Sequence, residues 1–199
     1  MHIWGWMTNF ELEALAEMAS SVESVVEVGS LHGRSAFALA SSCPGTVHCI
    51  DPWDDEHGLC YPSFMGNVGY LPNVRAIRSY NSAEVAAEIG EVDMVFIDGA
   101  HDYGAVMADI AAWLPFTGKL MCGHDYENAD GGYPGVKMAV DQVFGDSVVV
   151  YPRTTIWTVE RGTGEWKIES GLPERLTYTD EYKRTDTVDL IWPGGASSL

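Results

Sequence analysis

Three stretches of this chain carry residues that could do chemistry. In Glu27-Val28-Gly29-Ser30-Leu31-His32-Gly33-Arg34-Ser35, two glycines stand four positions apart, directly after a β-branched run. Gly29 and Gly33 let the backbone turn tightly and approach a ligand closely. Asp51 closes a second apolar run about twenty residues later, the place where an acid hydrogen-bonds ribose hydroxyls. With the acidic Glu27 just inside the loop, this order of signals points to a nucleoside cofactor. The spacing Gly-x-x-x-Gly departs from the Gly-x-Gly-x-x-Gly of pyrophosphate binders, which argues against a nicotinamide-dependent oxidoreductase.

The other two stretches are Ile97-Asp98-Gly99-Ala100-His101-Asp102-Tyr103 and Gly123-His124-Asp125-Tyr126, each following an apolar run. Asp98, His124 and Asp125 offer oxygen and imidazole ligands, a set that suits Mg²⁺ or Mn²⁺ with room for waters or substrate oxygens. The structural alternative is that His124 and Asp125 cap the loop that follows them while Asp98 bonds backbone. His101, an imidazole that titrates near neutrality, is the natural general base for a hydroxyl.

These residues need a scaffold that brings strand ends together. Thr8-Asn9-Phe10-Glu11 has the form of a capping box and opens a helix to about Ser20. Short apolar strands are expected at residues 24–28, 47–50, 74–77, 92–97 and 118–122. Helices are expected at 34–42, 82–89, 103–114 and 135–144, and residues 52–72 read as mostly loop with one short helix. Such alternation implies a parallel sheet with helices on both faces. Residues 148–151 and 155–159 are separated only by Pro152, Arg153 and Thr154, a gap too short for a parallel crossover, so they must pair as a hairpin. In an open α/β sheet the ligand lies beyond the carboxyl ends of the strands, where all three stretches emerge.

Composition narrows the functions open to such a fold. The chain has 199 residues, 46% hydrophobic and 20% charged, enough for a single domain with a full core. We expect one domain over residues 1–165. A tail follows over 166–199, in which 177–187 is polar and 193–198 resembles a flexible end; Trp166, Ile191 and Trp192 are its candidate anchors. A formal net charge of −18 with only 11 basic residues disfavours nucleic acid and anionic membranes as partners. No apolar run approaches a membrane span and the start lacks the form of a secretion signal, so a soluble cytoplasmic protein is expected. Cys43, Cys49, Cys60 and Cys122 show no zinc-knuckle spacing and read as buried free thiols. Aromatics near both termini are compatible with a homo-oligomer.

Taken together, Glu27-Val28-Gly29-Ser30-x-x-Gly33-Arg34-Ser35, Ile50-Asp51-Pro52-Trp53, Phe96-Ile97-Asp98-Gly99-x-His101-x-Tyr103, Gly123-His124-Asp125-Tyr126 and Pro134-Gly135-Val136-Lys137 resemble a class I S-adenosylmethionine-dependent methyltransferase. More narrowly, the chain is similar over residues 22–160 to the small-molecule O-methyltransferases of methyltransferase family 24. The resemblance implies a Rossmann-like, mostly parallel seven-stranded sheet ending in an antiparallel hairpin, with helices on both faces. It implies S-adenosylmethionine as cofactor, which has no phosphate to cradle. Gly29, Ser30 and Gly33 would line its methionine and ribose portion with Glu27 nearby, Asp51 would hold the ribose hydroxyls, and Ser82 would lie near the adenine, with Asp98 alongside. Asp98, His124 and Asp125 match metal-ligand positions of metal-dependent relatives. His101 takes the place of the lysine base in catechol-type enzymes, and His124 stands where relatives usually carry an acid.

The expected reaction is methyl transfer to a hydroxyl of a small molecule, with the ion lowering the hydroxyl's pKa and His101 removing its proton. Residues 54–70 and 127–134, with Tyr61, Phe64, Tyr70 and Tyr133, are the expected pocket walls and suit a sugar or a phenolic ring equally. Asp130-Gly131-Gly132 is either a mobile lid or a simple loop. The alternative function is a protein that binds S-adenosylmethionine without transferring its methyl, as a sensor or partner subunit.

Overall fold

The computed structural model describes residues 2–55, 57–127, 133–163, 165–180 and 183–193. Seven strands form one sheet: β1 (Ser24–Val28), β2 (Thr46–Asp51), β3 (Val74–Arg78), β4 (Val92–Ile97), β5 (Thr117–Gly123), β6 (Val149–Val150) and β7 (Trp157–Glu160). Their order is β3-β2-β1-β4-β5-β7-β6. β1 to β5 pair in parallel, and β7 runs antiparallel to both β5 and β6. The expected sheet and its closing hairpin are therefore both present. The strand order reverses beside β1, which opens a crevice at the carboxyl ends of β1 and β4.

Both faces of the sheet are covered. Helices α1 (Asn9–Ala19), α2 (Arg34–Ser42) and α3 (Cys60–Val68) enclose one core with Val25, Val47, Met94 and Phe96. Helices α4 (Ser82–Ile89), α5 (Tyr103–Trp113) and α6 (Pro134–Phe144) enclose the other with Val26, Val95, Met121 and Trp157. Burial on both faces is why the parallel strands read as continuous apolar runs rather than alternating ones. α3 is the short helix expected within 52–72. Cys43, Cys49 and Cys122 are buried and all four thiols are free. Among the described residues no helix is long and apolar enough to cross a membrane.

Two segments at the chain ends complete the walls above the sheet. Before α1, the Arg34 guanidinium donates to the carbonyls of Ile3 at 2.6 Å and Met7 at 3.0 Å, and Trp4 meets His32 of the glycine loop edge to face. At the other end, the tail whose residues 177–187 read only as polar contains a further element. β8 (Arg175–Thr179) and β9 (Thr185–Asp189) pair as an antiparallel hairpin. Its inner face carries Leu176 and Val188 onto the core of α5 and α6. Its outer face is laced by Thr177–Thr187 and Thr179–Thr185 hydroxyl pairs, each at 2.8 Å. Trp166 is buried and Trp192 packs on the same core, whereas Ile191 is exposed. Residues 130–132 and 194–199 lie outside the described residues.

Candidate active site

The glycine loop, the end of β2 and the end of β4 converge on one rim. Gly29 donates its amide to Ile50 O at 2.8 Å, and Asp98 donates to Val28 O at the same distance. Gly29 has φ +90°, and a Cβ there would overlap the Asp98 carbonyl, so only glycine fits. Gly33, with φ +86°, starts α2 against Phe64 and Val68.

Asp51 is the staple of this rim. Its Oδ2 accepts from the amides of Ser30 at 3.0 Å and Leu31 at 2.9 Å, and its Oδ1 from that of Trp53 at 2.7 Å. Trp53 Nε1 in turn donates to Leu31 O at 2.7 Å. Leu31 and Trp53 both hold positive φ, +44° and +42°, a conformation that costs side-chain-bearing residues energy and gathers at functional sites. The acid expected to hold a ribose thus spends three acceptor positions holding strained loops, and one lone pair remains on Oδ1. Burial nevertheless outweighs these bonds and raises its pKa above the usual carboxylate value.

Glu27 lies fully buried behind the loop, beside the Ser30 and Ser35 hydroxyls, whose pull on its carboxyl is weaker than the effect of burial. Burial is the main reason its pKa rises to about 7, and the nearby charge of Asp98 adds to it. Ser30 is itself buried. Ser82 stands at the start of α4, where its hydroxyl faces Asp109 of α5; burial lifts Asp109 to about 6.

The second group of expected residues meets at the ends of β4 and β5. His101 Nε2 lies 3.2 Å from Asp125 Oδ2, and the imidazole stacks on Tyr133 with centroids 4.0 Å apart. Asp125 holds φ +60°, the left-handed region that Asp tolerates better than most residues. His124 lies between three carboxylates. Its Nδ1 lies 3.1 Å from Asp125 Oδ2 and 3.4 Å from Asp98 Oδ1, while its Nε2 lies 3.1 Å from Glu11 Oε1, off the axis of a straight hydrogen bond. Nδ1 thus faces the two aspartates and Nε2 faces Glu11, an arrangement in which Nε2–H can point to Glu11 while Nδ1 faces the space between Asp98 and Asp125. Asp98, His101 and Asp125 also place ligand atoms within 4.8 Å of one another.

Burial works to lower the His124 pKa, but its three carboxylate neighbours outweigh it and raise it to about 12. In Asp125 burial works upward and is overcome by His101 and His124, which hold that carboxyl well below its usual range. Glu11, read from the sequence only as a capping residue, is the missed member of the group. Its Oε2 accepts from the Thr8 amide at 2.8 Å, closing the capping box, and its Oε1 accepts from the Thr155 amide and hydroxyl at 3.2 and 3.1 Å. Burial opposes its ionisation, yet His124 and these bonds bring it down to about 2.

With this geometry in place, the likeness to known proteins can be stated. The methyltransferase domain profile of methyltransferase family 24 matches residues 26–126, just over half of the 199 residues. The chain belongs to this family. The matched stretch runs from β1 to the end of β5, so it contains the glycine loop, Asp51 and the whole Asp98–Asp125 group. A protein of Sinorhizobium fredii named uncharacterized protein y4gI is 27% identical over 189 residues, covering 85% of this methyltransferase and 20% of its own length. The chain therefore spans about a fifth of that curated relative. Among solved structures, the O-methyltransferase TomG of Streptomyces achromogenes, involved in tomaymycin synthesis and in complex with SAM, is 15% identical with a TM-score of 0.57, over 79% of this chain and 82% of its own. An O-methyltransferase of Bacillus cereus in complex with SAH is 15% identical with a TM-score of 0.58, over 78% and 83%. At such identities these two establish the shared fold.

Proposed function

We propose that this methyltransferase uses S-adenosylmethionine to methylate a hydroxyl of a small molecule, a sugar or a phenol, with His101 taking the hydroxyl's proton. The observation that carries the reading is the His101–Asp125 pair, 3.2 Å apart, at the rim formed by Gly29, Asp51 and Asp98. The rim suits a cationic nucleoside. Glu27, Asp51, Asp98, Asp102 and Asp109 supply acceptors for a sulfonium, an ammonium and a ribose diol, and would repel a pyrophosphate.

When bound, S-adenosylmethionine supplies an electrophilic methyl group on sulfur. Gly29, Ser30 and Gly33 admit its methionine and ribose portion. Asp51 offers the remaining lone pair of Oδ1 to a ribose hydroxyl, and Ser82 with the β8–β9 hairpin walls the adenine side. Asp125 orients His101, and Tyr133 holds the ring by stacking. The acceptor oxygen then forms its new bond to carbon as its proton passes to His101, and most of the acceleration comes from alignment. The Mg²⁺ or Mn²⁺ expected here would be held by Asp98 and Asp125 with an imidazole nitrogen of His124 or His101, and would lower the pKa of the acceptor hydroxyl; no step here runs through an ion. We further infer a cytoplasmic setting, where the four free cysteines stay reduced.

His101→Ala tests the reading. Turnover on a hydroxyl-bearing acceptor should fall by about 10²-fold or more, with S-adenosylmethionine affinity by calorimetry unchanged. Equal turnover would remove His101 from the mechanism. Cofactor binding with no product across sugar and phenol panels would favour the sensor or partner-subunit alternative.

A further inference from the structure

We propose that Trp4 and Trp6 form a stacking platform that holds the methyl acceptor by the face of an uncharged hydroxylated ring and turns away acceptors carried on phosphate. The inference deepens the methyl-transfer reading and rests on it for the fate of the ligand, while its first test reads binding alone.

The platform is made rigid by the residues around it. Ile3 and Met7 are buried in the core enclosed by α1, α2 and α3, and their carbonyls accept from the Arg34 guanidinium. Gly5 lies so close to the Arg34 side chain that a Cβ would overlap it. Residues 3–7 are thereby pinned at both ends, and the rings between the two anchors stand outward: Trp4 is 54% exposed and Trp6 75%. The indoles meet edge to face with centroids 4.7 Å apart, and Trp4 meets His32 in the same way at 5.3 Å. Leaving apolar surface in water forfeits about 25 cal/mol per Å², so a fixed pair of exposed indoles marks a binding surface.

Its place and its charge say what it binds. His32 follows the Ser30–Leu31 turn held by Asp51, where the methionine portion of the cofactor would lie. Farther along the same segment, Glu11 lies beside His124 at the end of β5. The segment therefore runs from the cofactor side of the site to the acceptor side, with the indoles between core anchors at its outer margin. An indole face carries the negative part of the ring quadrupole and attracts C–H groups, ring edges and cations. The cations of this stretch are already committed, Arg34 to Ile3, Met7 and Asn9 and Arg153 to the Phe10 ring, 3.9 Å from its centroid. Beyond them lie the carboxylates of Glu11, Asp98 and Asp125. A phosphate brought in by the acceptor would be repelled here, whereas a phenol or the C–H face of a sugar ring needs no cation.

Fluorine NMR of the fluorotryptophan-labelled protein, saturated with S-adenosylhomocysteine, gives the direct test, with Trp4→Phe and Trp6→Phe assigning the two signals. Titration with catechol or with methyl glucoside should shift both signals for at least one of these rings, which also separates a phenol from a sugar. Phenyl phosphate and glucose phosphate should leave them in place. Trp6→Ala, a change at an exposed position, should weaken binding of that ring about tenfold with S-adenosylhomocysteine affinity kept. In turnover it should raise the acceptor KM rather than lower kcat, and Trp6→Phe should recover part of the loss. Signals unmoved by both uncharged rings, or moved equally by the phosphate esters, would overturn the proposal. So would signals that move with protein concentration as the chain dimerises, since the indoles would then join two copies. The shifts need no methyl transfer, so a protein that binds such a ring and turns none over would keep the platform and count against the methyl-transfer reading.

Discussion

At the amino end the chain reaches the rim with buried charge, and at the carboxyl end it reaches the same rim with packing and surface pairs. Glu11 enters from α1 as a buried carboxylate that serves the capping box, Thr155 and His124 at once. The β8–β9 hairpin instead lays the Tyr178 ring on the α5 backbone at Gly104 and the Arg184 guanidinium 4.3 Å over the Tyr80 ring. Tyr80 in turn bonds Asp54 beyond β2, so the hairpin leans on the loops that flank Ser82 and Asp51. The difference is one of cost. A buried ion pair is severely damaged when one partner is lost, whereas exposed pairs and a packed ring yield by small steps. The first wall should govern the integrity of the acceptor end, and the second the grip on the cofactor.

Glu11→Ala should produce the largest effect. It takes one carboxylate away from the buried His124 and leaves Thr155 without its acceptor, at a cost of about 3–5 kcal/mol. The pH dependence gives the sign. Glu11 is lowered from 4.5 to about 2, so its contribution is present above 4.5 and is lost as pH falls toward 2. His124 is raised from 6.5 to about 12, so its contribution is full below 6.5 and declines as pH rises toward 12. The stability gap between wild type and variant, measured by urea unfolding, should be widest between pH 4.5 and 6.5. A gap that does not change with pH would reduce Glu11 to a helix cap.

Gly104→Ala probes the other wall. A Cβ at this position would overlap the Tyr178 side chain, so the hairpin must lift. Overpacking of this kind costs about 1–3 kcal/mol. We expect the KM for S-adenosylmethionine to rise about tenfold, matching about 1.4 kcal/mol, with kcat little changed and faster hydrogen exchange confined to residues 175–189. A fall in kcat at constant KM would break the division of labour between the walls.

The two walls also differ in how far the sequence disclosed them. β1 and β4 are plain in the sequence because burial on both faces makes each a nearly continuous apolar run, and the three residues between the apolar runs 148–151 and 155–159 leave only a hairpin. β8 half-buries just Leu176 and Tyr178, and β9 just Val188, among threonines and aspartates. Their period of two is real but carried by single apolar residues, too few to stand out from a polar tail. At the site, residue types were readable and orientations were not. Asp51 and His124 stand out in the sequence, and both lie on the rim. That Asp51 would turn inward to strained loop amides, and His124 toward Glu11, depends on approaches between β2, β5, α1 and Thr155 that no local pattern encodes. The capping box even masked Glu11, because one of its oxygens already had an evident task.

Arg184→Ala should give the smallest effect and so set the resolution of the comparison. The exposed guanidinium lies over Tyr80 and pairs with the buried Asp180, Nε to Oδ2 at 2.6 Å, and an exposed cation–π contact contributes about 0.5–1 kcal/mol. S-adenosylmethionine affinity by calorimetry should weaken about two- to fivefold, with Arg184→Lys recovering part of it and turnover at saturating cofactor unchanged. Because this contact joins the hairpin to the loop before Ser82, the loss should add to that of Gly104→Ala by less than the sum: once the hairpin has lifted, Arg184 has little left to hold. Full additivity would mean that the guanidinium and the Tyr178 ring act on the cofactor separately, and that the hairpin does not close this side of the cleft as a unit.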